Sequence, residues 1–124
     1  MDDFLTMETL LNDNIPLPGE LYRQFVKRLY QRNLLAKGEF RIGGRVVQLR
    51  DIACPVLNLM ARDDHLVPCS QSLPFNDLVG SQDRESILFP AGHIGMAVGS
   101  KAHRKLWPKA RAWLASRSED RAGP

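Results

Sequence analysis

Asp63, Asp64, His65 and His93 are the side chains in this sequence whose types and spacing could move protons, and Cys54 and Cys69 are its only thiols. A neutral imidazole can accept a proton near physiological pH, which makes His93, flanked by Gly92 and Gly95, a candidate general base. A carboxylate in contact with such a ring would hold its orientation and stabilise the imidazolium it becomes. Asp63 and Asp64 are adjacent, so their side chains point in different directions and one of them at most is expected to meet His93. The other then reads as a solvated loop carboxylate, and His65 as a support of the loop through hydrogen bonding. Two histidines and an aspartate are too few for a metal site, and two cysteines make neither a disulfide framework nor a zinc site. Neither thiol lies in a strained strand-to-helix elbow of the form Gly-x-Ser-x-Gly or its cysteine counterpart, and the sequence contains no such elbow. Buried or unactivated thiols are inert, so the pattern offers a base and an orienting acid without a nucleophile.

The elements around these residues say where they must sit. Pro55-Val56-Leu57-Asn58-Leu59-Met60-Ala61 is almost continuously apolar, as expected of a parallel strand buried on both faces, and the charges of Arg62 to His65 follow at its carboxyl end. Ser86-Ile87-Leu88-Phe89 predicts a second strand, ending at the Pro90 to Gly95 loop that carries His93. In open α/β sheets the carboxyl edge is where ligands and chemistry gather, so the two loops are expected to face each other. The chain between Asp64 and His93 suffices for one helix and one strand. An acid followed at that distance by a histidine matches the latter part of the α/β-hydrolase order. The fold class expected is therefore α/β: the C-terminal portion of an α/β-hydrolase fold, with parallel strands and crossover helices.

The remaining segments can be read in order. Phe4, Met7, Leu10 and Leu11 have helical spacing, and Asn12 to Gly19 reads as a loop. Leu21, Tyr22, Phe25, Val26, Leu29 and Tyr30 predict an amphipathic helix facing the core, with Arg23, Lys27, Arg28 and Arg32 on its solvated side. Gly38 to Ile42 and Arg45 to Leu49 alternate around Gly43-Gly44, a two-residue hairpin signal rather than a phosphate loop. A helix capped by Ser70 is expected to run irregularly past Pro74 and end at Val79-Gly80. Leu106, Trp107, Ala110, Trp113 and Leu114 have helical spacing, and a last helix is expected to start near Pro108. Ser118 to Pro124 is polar and expected to fray.

The 124 residues are 44% hydrophobic, enough for one small core, and carry a formal charge of +3, with an isoelectric point near 9.1. That charge would favour anionic partners such as a CoA thioester. The cations read as scattered, without a nucleic-acid-binding signature, so no nucleic acid is expected. No apolar run is long enough to span a bilayer, and Met1-Asp2-Asp3-Phe4 is acidic where a secretory signal is basic. A reducing cytoplasm is the expected compartment.

Asp64-His65-Leu66-Val67-Pro68 and Gly92-His93-Ile94-Gly95 resemble the corresponding motifs of polyhydroxyalkanoate synthases. Val79-Gly80, Gly99-Ser100-Lys101-Ala102, Ile42-Gly43-Gly44-Arg45 and Arg23-Gln24-Phe25 extend the similarity over most of the chain, nearest to the class whose catalytic subunit works with a second subunit. The resemblance implies the C-terminal part of an acyltransferase that polymerises 3-hydroxyacyl-CoA into polyester with release of CoA. It assigns His93 and Asp64 as catalytic, two members of a Cys-His-Asp triad, and needs no cofactor or metal beyond the CoA substrate. Within it, residues 1–37 are the end of a cap, 38–117 the hydrolase-like core and 118–124 a tail. Association with polyester granules, with another synthase subunit or with a second copy is a further expectation. Because the family's cysteine elbow has no counterpart here, the chain alone is expected to be inactive. Two other readings share the pattern: part of an ester hydrolase of the same fold, and a non-catalytic module binding a synthase or its granule.

Overall fold

The computed structural model describes residues 16–118. The expected helix at Phe4 to Leu11 and the tail after Ser118 lie outside the described residues. Within them the chain is mixed α/β, with one short antiparallel and one parallel pair of strands.

Helix α1 (Gly19–Gln24) passes without a break into a π-helical segment, Phe25–Gln31, whose wider turn is seen in the bond from Arg32 N–H to the Lys27 carbonyl. The helical spacing of Leu21, Tyr22, Phe25 and Leu29 is thus realised, but the core-facing expectation is not. Neither segment has a buried residue, and Phe25 and Tyr30 stand exposed. Their apolar side forms one wall of a groove of about 670 Å³ completed by Leu35, Leu49, Phe75 and Leu78.

Strands β1 (Arg41–Ile42) and β2 (Arg45–Val46) form the expected hairpin, with Arg41 opposite Val46 and Ile42 opposite Arg45. Gly43 and Gly44 both have positive φ, 55° and 81°, as the tight turn that matches strand twist requires. The paired strands are shorter than the alternating runs predicted. A 3₁₀ turn at Leu49–Asp51 then leads to β3 (Val56–Ala61), which pairs in parallel with β4 (Arg84–Phe89), from Val56 opposite Arg84 to Ala61 opposite Phe89.

The connection between them is two one-turn helices, α2 (Cys69–Ser72) and α3 (Phe75–Leu78). Pro74 lacks the N–H that would carry a single helix through. Pro68, not Ser70, occupies the capping position, so Ser70 lies inside the first turn. After α3 the chain passes so close to the 3₁₀ turn that a Cβ on Gly80 would lie 1.9 Å from the Arg50 carbonyl oxygen. Only glycine permits that approach.

Burial on both faces of β3 is not observed: only Met60 and Ala61, at its carboxyl end, are buried. The core gathers there, where Phe89 packs with Ala102 and Leu106 and is flanked by Leu59, Ile87, Ala91 and Met96. The helices that cover it are α4 (His93–Val98), α5 (Ser100–Lys105) and α6 (Trp107–Ala115). Only α6 was anticipated; it starts one residue before Pro108. Its indole at Trp107 donates to the Ala97 carbonyl at 3.1 Å, and Arg117 beyond it forms a two-pronged pair with Asp83, with Nη2 to Oδ1 at 2.8 Å. These contacts tie the last helix to α4 and to the start of β4.

Candidate active site

The parallel ladder continues past the ends of both strands. Arg62 N–H donates to the Phe89 carbonyl at 2.8 Å and Asp63 N–H to that of Ala91 at 3.0 Å, so the two loops leave the sheet side by side. This places Asp64 against His93 across the carboxyl edge. The Asp64 Oδ2 to His93 Nδ1 distance is 2.8 Å.

The carboxylate is the buried half of the pair. Its side chain is 4% exposed against 47% for the imidazole. Oδ1 accepts the backbone N–H groups of Leu66, at 2.9 Å, and Val67, at 2.8 Å. The turn Asp64 to Val67 is therefore folded around its own aspartate. The Val67 N–H holds the Asp64 carboxyl below the usual carboxylate range, with the His93 ring and the Leu66 N–H adding to it against the opposing cost of burial. An ionised carboxylate only accepts hydrogen bonds, so Nδ1 carries the proton when the imidazole is neutral, and Nε2 is left with its lone pair. The half-exposed ring then presents a basic nitrogen outward from a fixed orientation.

A depressed carboxyl stabilises the fold at pH values above its unfolded-state value, 3.8, and this contribution is lost as pH falls through the lower folded-state value. Between roughly pH 5 and pH 2 the urea midpoint of the native chain should therefore fall more steeply than that of an Asp64→Asn variant. Parallel curves for the two proteins would contradict this role for the turn.

Asp63 is separated from the pair, as expected. Its carboxylate turns to solvent and meets the Arg62 guanidinium at 3.2 Å. His93 departs from expectation in one respect: it does not sit in a loop but opens α4, which fixes its backbone more firmly than a loop would. His65 is exposed, and among the described residues no hydrogen bond from its ring supports the loop; the amides bound by Asp64 do that instead. Cys54 is exposed and lies ahead of β3. Cys69 opens α2 and its Sγ donates to the Ala61 carbonyl at 3.0 Å. Among the described residues neither thiol is hydrogen-bonded to His93. One participant was missed by sequence reasoning: Lys101, whose ammonium reaches the Pro90 carbonyl at 3.4 Å and lies over the Phe89 ring, bracing the strand end that carries the histidine. The two amides at Leu66 and Val67 could have been inferred, because an aspartate followed by a turn and Pro68 is a known way to fold a loop on a side chain.

No family model matches the chain. Individual proteins do. It is 44% identical over 119 residues to the poly(3-hydroxyalkanoate) polymerase subunit PhaC of Haloferax mediterranei, a match covering 96% of this chain and 24% of that protein. The subunits of the same name from Synechocystis sp. and Allochromatium vinosum are 45% and 43% identical over 116 and 115 residues, covering 93% of this chain and 31% and 32% of theirs. The chain thus spans about a quarter to a third of the length of these relatives. With identity at this level sustained over nearly all of its residues, the chain belongs to the PhaC poly(3-hydroxyalkanoate) polymerase family, and corresponds to its C-terminal part.

Proposed function

We propose that this chain supplies the general base and its orienting acid to a polyhydroxyalkanoate synthase, an acyltransferase that joins 3-hydroxyacyl units from CoA thioesters and releases CoA. The observation that carries the reading is the 2.8 Å contact between the buried Asp64 carboxylate and His93 Nδ1, at the carboxyl edge of two parallel strands. His93 Nε2 takes the proton of a thiol delivered by another part of the polymerase. The thiolate attacks the acyl carbonyl, the bond to CoA breaks, and the proton passes from His93 to the departing CoA sulfur. In the second half-reaction the same nitrogen accepts the proton of a 3-hydroxyl, whose oxygen attacks the enzyme-bound acyl carbonyl; the bond to the enzyme sulfur breaks, the proton on His93 returns to that sulfur, and the polyester is one unit longer.

In this reading residues 38–117 form the C-terminal part of an α/β-hydrolase core, residues 1–37 the end of a cap and residues 118–124 a tail. The protein works in the cytoplasm at the polyester surface. The similarity to polymerase subunits favours acyl transfer over the ester hydrolase that the same pair of residues could serve. A chimaera in which this chain replaces the matching segment of the Allochromatium vinosum subunit tests the proposal. It should release CoA from 3-hydroxybutyryl-CoA and form polymer; a folded chimaera that hydrolyses simple esters but makes no polymer would favour the hydrolase reading.

A binding role is supported by a separate feature. Among the described residues β3 and β4 form a sheet of only two strands, and Leu88 of β4 is 54% exposed. Parallel strands are ordinarily covered and flanked by others, and unpaired edges invite association. The purified chain is expected to self-associate as its concentration rises. Sedimentation equilibrium checks this: a monomer that unfolds in one sharp transition at high concentration would speak against it.

A further inference from the structure

The cations of this chain are spread along it, as the sequence first suggested, but the acids are not. From Ser86 to Ser118 there is no aspartate or glutamate, whereas Lys101, Arg104, Lys105, Lys109, Arg111 and Arg117 all fall there. In the structure the first five of these lie on α5 and α6, two parts of one helical run. Leu106 between them keeps helical φ and ψ, its N–H bonds to the Ala102 carbonyl, and Ala110 N–H bonds to that of Leu106. Ala102, Leu106 and Ala110, four residues apart, are buried, which fixes the inward side. Arg104 and Arg111 lie opposite, with Lys105 to one side of them and Lys109 farther round, next to the buried stripe; all four are exposed. Among the described residues none of these four is in an ion pair, whereas Arg117 pairs with Asp83. The run from Ser100 to Ala115 is about 24 Å long at the helical rise.

We propose that this face docks peripherally on an anionic phospholipid surface. A row of unpaired cations attracts any polyanion, but the exposed apolar groups beside it select among them. Trp107, whose indole N–H stays on the Ala97 carbonyl while the ring is 38% exposed, and Leu114, 56% exposed, stand seven residues apart on the flank of the cationic face, next to Arg104 and Arg111. Indole and leucine side chains gain from the boundary between headgroups and acyl chains, where arginine and lysine reach phosphate. A duplex phosphate backbone offers no such boundary. No helix among the described residues is long and apolar enough to cross a membrane, so the contact is one of adsorption, driven by charge and anchored by these two side chains. This proposal does not depend on the Asp64–His93 pair.

Co-sedimentation of the purified chain with vesicles tests it. Phosphatidylcholine vesicles containing a third phosphatidylglycerol should bind the protein, pure phosphatidylcholine should not, and raising salt from roughly 0.05 to 0.5 M should release it. Each cation near such a surface is worth about fivefold in affinity, so Arg104→Glu with Arg111→Glu should weaken binding by at least ~10²-fold. Lys27→Glu with Arg45→Glu makes the same change in net charge on exposed residues elsewhere and should cost far less. Circular dichroism on both variants separates loss of binding from loss of fold, and the salt titration of the unaltered chain stands if a variant unfolds. Equal binding to neutral vesicles, equal loss in the two double variants, or stronger retention on duplex DNA than on anionic vesicles at matched phosphate would overturn the proposal.

Discussion

In a chimaeric polymerase carrying this chain in place of the corresponding PhaC segment, His93→Ala is expected to lower the rate of CoA release at least ~10²-fold, the lower end for loss of a general base. The expectation follows from geometry. Nδ1 is occupied by Asp64, so Nε2 is the ring atom free to accept a proton, and alanine leaves nothing in its place. Asp64→Asn should also slow turnover, because a neutral amide stabilises the imidazolium less well and can hold the ring in the wrong tautomer. Asp63→Asn should be far milder, since among the described residues that carboxylate meets only Arg62, on the solvent side. Initial rates with 3-hydroxybutyryl-CoA, run beside circular dichroism, check all three. A well-folded His93→Ala enzyme turning over normally would remove the assignment.

The second large effect is a complete one: the 124-residue chain by itself should release no CoA above background. Acyl transfer through a covalent intermediate needs a nucleophile that an adjacent base can activate. Cys69 donates its thiol proton to the Ala61 carbonyl and Cys54 is exposed ahead of β3, so neither is placed to be that nucleophile. Release of CoA that survives Cys54→Ser and Cys69→Ser but is lost in His93→Ala would show instead that the base can act on water. Release abolished by Cys69→Ser would make that thiol the nucleophile.

What the sequence disclosed, and what it did not, follows from how locally each feature is encoded. The parallel pair and the meeting of Asp64 with His93 were legible, because an apolar run that ends abruptly in charge marks both a strand and its carboxyl edge. The hairpin was legible because two consecutive glycines at positive φ leave few alternatives. His93 opening α4 was not, since Pro90, Gly92 and Gly95 make Pro90 to Gly95 read as loop while the packing of Met96 against Phe89 favours helix. The exposed side of Phe25 and Tyr30 was misread for a different reason: periodicity identifies an apolar face without saying what covers it. The cationic face of α5 and α6 escaped notice because net charge averages over the chain, and only the absence of acids between Ser86 and Ser118 reveals it.

The central claim is that Asp64 and His93 act as one unit, and a double-mutant cycle on the chimaera measures that directly. If the carboxylate works through the imidazole, Asp64→Asn will slow CoA release in the presence of His93 but have almost no further effect once His93 is alanine, so the double variant will be about as slow as His93→Ala alone. Rate losses that simply multiply, with the double variant slower by the product of the two single effects, would contradict the account.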